Sequence, residues 1–154
     1  MTTCIHCEQK CRLTTGKEVY PHRPDLHFKQ IWVCDPCNAR VGCHGETDKA
    51  LGFAANAELR NARIKLHNDR LDKLWKHADQ LNCYAPEDKK SLRKIRSRAR
   101  RRVYHFLSVQ MGLSPDQTHT GMFNLEQCRE AWTALKGQTP CSIREWAKQE
   151  EQSA

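Results

Sequence analysis

The chain is poor in most of what builds a large core. Only 7% of its 154 residues are aromatic and 38% are hydrophobic. No apolar run approaches the roughly 18 residues of a transmembrane helix, so no membrane partner is expected. Met1-Thr2-Thr3-Cys4 is not followed by an apolar stretch. A secretory leader is therefore not expected, and a cytoplasmic setting is. Internal repeats and low-complexity segments are absent. Acidic residues are missing where they would matter most, since not one Asp or Glu lies between Lys89 and Arg102.

Cysteine is present in excess, with nine in all. An odd number, partly in CxxC pairs and with no leader, fits a reducing compartment and metal ligation better than a disulfide framework. Cys4-Ile5-His6-Cys7 and Cys34-Asp35-Pro36-Cys37 are separated by 26 residues. Each pair directs two thiolates from a tight turn, and two turns supply the four tetrahedral ligands that Zn²⁺ prefers. The β-prone runs 17–20 and 28–33 predict a hairpin between them, broken by Pro21 and Pro24. Turn, hairpin and turn make a zinc ribbon over residues 1–45. Cys11, Cys43 and His44 are spare donors, for one of these positions or for a second metal. Structural zinc is worth roughly 10–16 kcal/mol in small peptides. That matches the whole stability of a typical domain, about 5–15 kcal/mol.

Residues 46–154 predict a helical domain packed with the ribbon, giving a mainly α fold of about four helices with a small β part. The first helix is expected over Phe53–Leu81, which lacks Pro and Gly. On its inward side Asn56, Arg60, Arg63 and His67 form a row spaced by four, three and four. This row reads as a candidate anion site, or as arginine stems lying on apolar surface with their heads in water. A second helix is expected from Pro86, at N1, to Met111, ending at Gly112. Its stripe is Leu92, Ile95, Ala99, Val103, Phe106 and Leu107. A third starts after Asn124, and a short fourth carries a Ser142–Glu145 capping box and a frayed tail from Lys148.

The net charge is +8, and residues 86–112 carry +7 of it. Lys89, Lys90, Arg93, Lys94, Arg96, Arg98, Arg100, Arg101 and Arg102 place nine cations in 14 residues. Like charges at helical spacing repel by some tenths of a kcal/mol per pair. A phosphate backbone would offset that repulsion, so nucleic acid, DNA first, is the expected partner.

One series of residues carries a resemblance. It runs from Trp32-Val-Cys-Asp-Pro-Cys-Asn-Ala-Arg-Val-Gly-Cys-His44 through Leu51-Gly-Phe-Ala-Ala-Asn-Ala-Glu-Leu-Arg60 to Arg63, His67 and Asp72-Lys-Leu-Trp75. It continues with Tyr104, His119-Thr-Gly-Met-Phe123 and Cys128. The series resembles a family of small zinc-finger-containing proteins found largely in phages and prophages, over about residues 4–135. The resemblance implies zinc and a phage-related setting, and no reaction. It also places His44, Asn56, Arg60, Arg63, His67 and His119 on motif positions.

Three functions follow as expectations. The first is non-enzymatic nucleic-acid binding through the basic helix. The second is a metal-assisted nuclease, with His44, His67 and His119 as catalytic candidates and Arg60 and Arg63 on the scissile phosphate. No HNH or paired-carboxylate pattern supports it. The third is an adaptor or inhibitor docking on a host protein, since a fold alone does not settle function.

Overall fold

The computed structural model describes residues 2–81, 83–84 and 89–153, and the side chains of these except 89–91. It is mainly helical, with one three-stranded antiparallel sheet. The chain forms two compact units: Met1–Ala62 with Thr120–Asn124, and Arg63–His119 with Leu125–Ala154.

In the first unit, β1 (Arg12–Thr15), β2 (Gln30–Cys34) and β3 (Ala39–Gly42) lie in that order. Leu13 faces Trp32, and Trp32 faces Val41. The first strand precedes the run expected for it. Residues 17–20 instead enter a short helical turn, α1 (Gly16–Val19), capped by Tyr20. The β-branched pair Thr14-Thr15 takes the ladder position. Gly16 then lets the backbone close on Leu26, where a Cβ would overlap the Leu26 carbonyl. The second expected strand forms from Gln30, while Phe28 stays outside it and 94% exposed.

Trp32 packs under the sheet and donates its indole N–H to the Asp48 carbonyl at 2.7 Å. Around it lie Cys4, Cys11, Cys34, Ala39 and Ala54, a core made largely of thiols and small side chains. The segment Thr120–Asn124 returns to this unit. The Phe53 N–H donates to the Gly121 carbonyl at 2.9 Å, and Phe123 is fully buried.

The helix expected over 53–81 is shorter and broken. Ala54 and Ala55 are extended and bridge to Cys4 and Arg40, so α2 (Ala57–Leu66) starts later. Its start is marked by Asn56, whose Oδ1 accepts the Leu59 N–H at 3.0 Å. A π turn, His67–Leu71, and two 3₁₀ turns, Asp72–Leu74 and Ala78–Gln80, follow. The reason lies in the apolar spacing. Leu66, Leu71, Leu74 and Ala78 are all buried. Five residues of ideal α-helix would leave Leu71 about 140° from Leu66. A wider turn of i→i+5 type brings both inward.

The second unit is built on α3 (Lys89–Met111), with α4 (Leu125–Ala134) and α5 (Pro140–Ser153). The expected start at Pro86 lies outside the described residues. Ala99, Val103, Phe106 and Leu107 are buried, and Leu92 and Ile95 partly so. Phe106 meets Trp146 edge to face at 5.0 Å. Gly112 and Gly137 take φ of +62° and +75° where helices end. The last helix starts earlier than expected. Thr139 and Ser142 exchange backbone N–H and hydroxyl bonds at 3.1 and 2.9 Å, and the helix runs on to Ser153. Cys83 and Cys141 form a disulfide, so these two cysteines depart from the expectation of metal ligation in a reducing compartment.

Candidate metal centre and basic helix

The first turn brings Cys4 and Cys7 to one side of the sheet end, and the β2–β3 turn brings Cys34 and Cys37. Both turns contain a residue with positive φ, Glu8 at 59° and Asn38 at 49°. These tight turns let two Sγ atoms from each segment converge. All four Sγ atoms lie within 4.8 Å of one another, and Cys7 and Cys34 are 3.5 Å apart. A tetrahedron with Zn–S near 2.3 Å places its sulfurs about 3.8 Å apart. The donor set therefore fits Zn²⁺ in number, chemistry and spacing. The His6 N–H also reaches Cys4 Sγ at 3.4 Å.

The electrostatics point the same way. A hydrogen bond from the Gln9 backbone and one with the Cys37 side chain lower the Cys7 thiol. Hydrogen bonding with Cys7, together with burial, pushes Cys37 up to about 12. Burial raises Cys34. Four adjacent thiolates repel one another, and a dication removes the conflict. Cys11 is buried beside the cluster, and burial with the neighbouring cysteine charges pushes its thiol to about 11. Neither Cys11, Cys43 nor His44 joins a metal-binding group among the described residues. Nor do His67 or His119.

Residues 1–138 match the family described as a zinc-finger-containing domain. The chain belongs to that family. No curated protein and no solved structure matches it. The zinc-finger domain carries one structural Zn²⁺, for which these four thiols are the fitting ligand set. Among the described residues no helix is long and apolar enough to cross a membrane.

The row Asn56, Arg60, Arg63 and His67 is divided among separate tasks. Asn56 caps α2, and its N–H donates to His6 Nε2 at 3.0 Å. Arg60 donates from Nη1 to the Ala55 carbonyl at 2.7 Å. Burial lowers the Arg63 guanidinium, and the nearby Cys128 opposes the shift. His67 Nδ1 lies 3.4 Å from Asp72 Oδ1, while Lys76 holds Asp72 Oδ2 at 2.7 Å. Burial alone would raise the Asp72 carboxyl. The bonds from Lys76 and His67 overcome it and hold the group below its ordinary value. His119 stacks on Tyr104 with ring centroids 6.3 Å apart.

The cations of α3 also divide. Lys89 and Lys90 open the helix. Arg96 is held by Asp79 through two bonds, at 2.7 and 3.1 Å. Arg100 lies over both Trp75 and Tyr104 at 5.6 Å, and Arg102 over Tyr84 at 6.0 Å. Arg93, Lys94, Arg98 and Arg101 are exposed and form no ion pair among the described residues. Arg98, Arg101, Arg102 and His105 line a groove of about 580 Å³, with Glu150 and Glu151 of α5 on its other wall. The sequence could not show that an acid from a distant turn neutralises Arg96, or that aromatic rings seat Arg100 and Arg102.

Proposed function

We propose that this zinc-finger domain protein binds nucleic acid, DNA first, without catalysing a reaction on it. The contact runs through the sugar–phosphate backbone along α3. The observation that carries this reading is the set Arg93, Lys94, Arg98 and Arg101, exposed and in no ion pair among the described residues, although Glu150 and Glu151 share the groove of Arg98 and Arg101. The opposite face of the same helix holds Ala99, Val103 and Leu107 in the core, so the cations are presented from a fixed support. Arg100, seated on Trp75 and Tyr104, adds a guanidinium with restricted freedom. Charge without a set of groups that reads base edges positions a protein on nucleic acid but does not select a sequence. Zinc in this reading is structural, stabilising the first unit.

A salt titration tests the reading. Neutralising four to six phosphates should lower affinity by about 10²- to 10³-fold between 50 and 200 mM salt. Binding that ignores salt, or that persists when Arg98 and Arg101 are both changed to Gln, overturns it. Retention of a protein partner after nuclease treatment, with no affinity for DNA or RNA, would favour the docking function instead.

A further inference from the structure

Arg40 and Arg60 are 20 residues apart in sequence and meet at one residue, Ala55. Arg40 donates its N–H to the Ala55 carbonyl at 2.9 Å and accepts the Ala55 N–H at 3.1 Å. Arg60, one turn into α2, returns its Nη1 to the same carbonyl at 2.7 Å. The Arg40 backbone and the Arg60 guanidinium are thus tied to the same residue, Ala55. The Arg40 guanidinium lies over the Tyr20 ring, 4.6 Å from its centroid. Both arginines are half-buried. The Arg40 Nε is fully buried and has no hydrogen-bond acceptor. Neither arginine has an ion-pair partner among the described residues. The described ion pairs of the first unit use Arg12 and Arg23.

Two like charges held partly out of water without a counter-ion are costly. Burial, and then the charge of Arg40, hold Arg60 below the usual guanidinium range. An arginine fork suits a tetrahedral oxyanion, because two parallel N–H groups match two oxygens. Tyr20 restricts the Arg40 fork and Ala55 restricts the Arg60 fork, so little side-chain freedom remains to be lost on binding.

We propose that Arg40 and Arg60, with Tyr20 positioning Arg40, form a binding site for a phosphate group in the zinc-bearing unit. This site is separate from the contact proposed for α3 and does not depend on it. The phosphate can belong to a free phosphate or to the end or backbone of a nucleic acid.

The test uses the zinc-loaded full chain. Inorganic phosphate is titrated against wild type at constant ionic strength held with chloride, following amide shifts of residues near Ala55 and the melting temperature. Saturable binding in the millimolar range is expected for a site of this size. Arg40→Gln and Arg60→Gln should each weaken it about tenfold or more, with zinc content unchanged. Arg40→Lys keeps the charge and removes the fork, and should weaken phosphate binding while leaving the phosphate-free melting temperature close to wild type. It serves as the deciding variant if either glutamine variant fails to fold. Arg98→Gln with Arg101→Gln should leave phosphate binding unchanged, which separates this site from α3. Tighter binding of a 5′-phosphorylated oligonucleotide than of its 5′-hydroxyl twin identifies a terminal phosphate as the source. Equal oligonucleotide affinities, both lost with Arg40→Lys, identify the backbone. No saturable phosphate binding by wild type, or unaltered binding by Arg40→Lys, overturns the proposal.

Discussion

Asp79 grips Arg96 with both carboxylate oxygens, and Asp79 itself is only 6% exposed. The pair removes one cation from the basic run, so residues adjacent in sequence should behave differently. Arg96→Gln should leave nucleic-acid affinity and its salt slope nearly unchanged. Arg98→Gln or Arg101→Gln should each lower the slope by about one unit. Fluorescence anisotropy across a salt series with the three variants checks this.

The same pair sets an acid limit. The bond from Arg96 holds the Asp79 carboxyl below its ordinary value of 3.8. Its folded pKa is therefore lower than its unfolded one. The stabilising contribution is complete above the unfolded value and disappears as pH falls through the folded value. Asp72 behaves alike, held down by Lys76 and His67 against burial. Stability of the second unit should stay level from neutral pH to about pH 5 and then decline in acid. Chemical denaturation at stepped pH measures it, and Asp79→Asn should flatten part of the decline.

Metal removal should act mainly on the first unit. Elemental analysis is expected to find one zinc per chain. Cys34→Ser should abolish tight binding, whereas Cys11→Ser and Cys43→Ser should retain the ion, because neither sulfur belongs to the four-sulfur cluster. Zinc is worth roughly 10–16 kcal/mol in small fingers, so chelation should unfold the sheet, read as loss of protection at Trp32 and Val33 in hydrogen exchange.

Gly52 should tolerate no side chain. A Cβ there would overlap the Gly121 carbonyl and carbon, which are backbone atoms and cannot swing aside. Gly52→Ala is expected to destabilise by about 3 kcal/mol or more. Gly45→Ala, where a Cβ would meet nothing within 4 Å, should cost less and reflect only its φ of +54°.

The disulfide can be tested by mass. Cys83 and Cys141 close a span of 58 residues. Non-reducing digestion should yield a linked peptide pair, and Cys83→Ser should lower stability by about 2–4 kcal/mol. The zinc content should not change.

The sequence was most readable where the chemistry is local. Two CxxC turns declare four ligands because each pair is three residues apart, and the glycine stops at 112 and 137 need only their neighbours. The α3 stripe was readable for the same reason. The start of α2 was not, because Ala54 and Ala55 have good helical propensity and are pulled straight by bridges to Cys4 and Arg40. Its π turn follows from the interval of five between Leu66 and Leu71, a spacing that α periodicity treats as noise. Arg40 is a strand residue just after a turn, with no local signal of its own, and only its bridge to Ala55 brings it beside Arg60.

The return of Thr120–Asn124 to the first unit has a consequence for biosynthesis. The cysteines that gather the ion all emerge within the first 37 residues, so the metal can be captured early during translation. The place of Phe123, by contrast, stays vacant until the ribosome has made Arg63–His119 of the later unit. The nascent zinc finger must wait, loaded but unfinished and open to chaperones, while residues 63–119 are added.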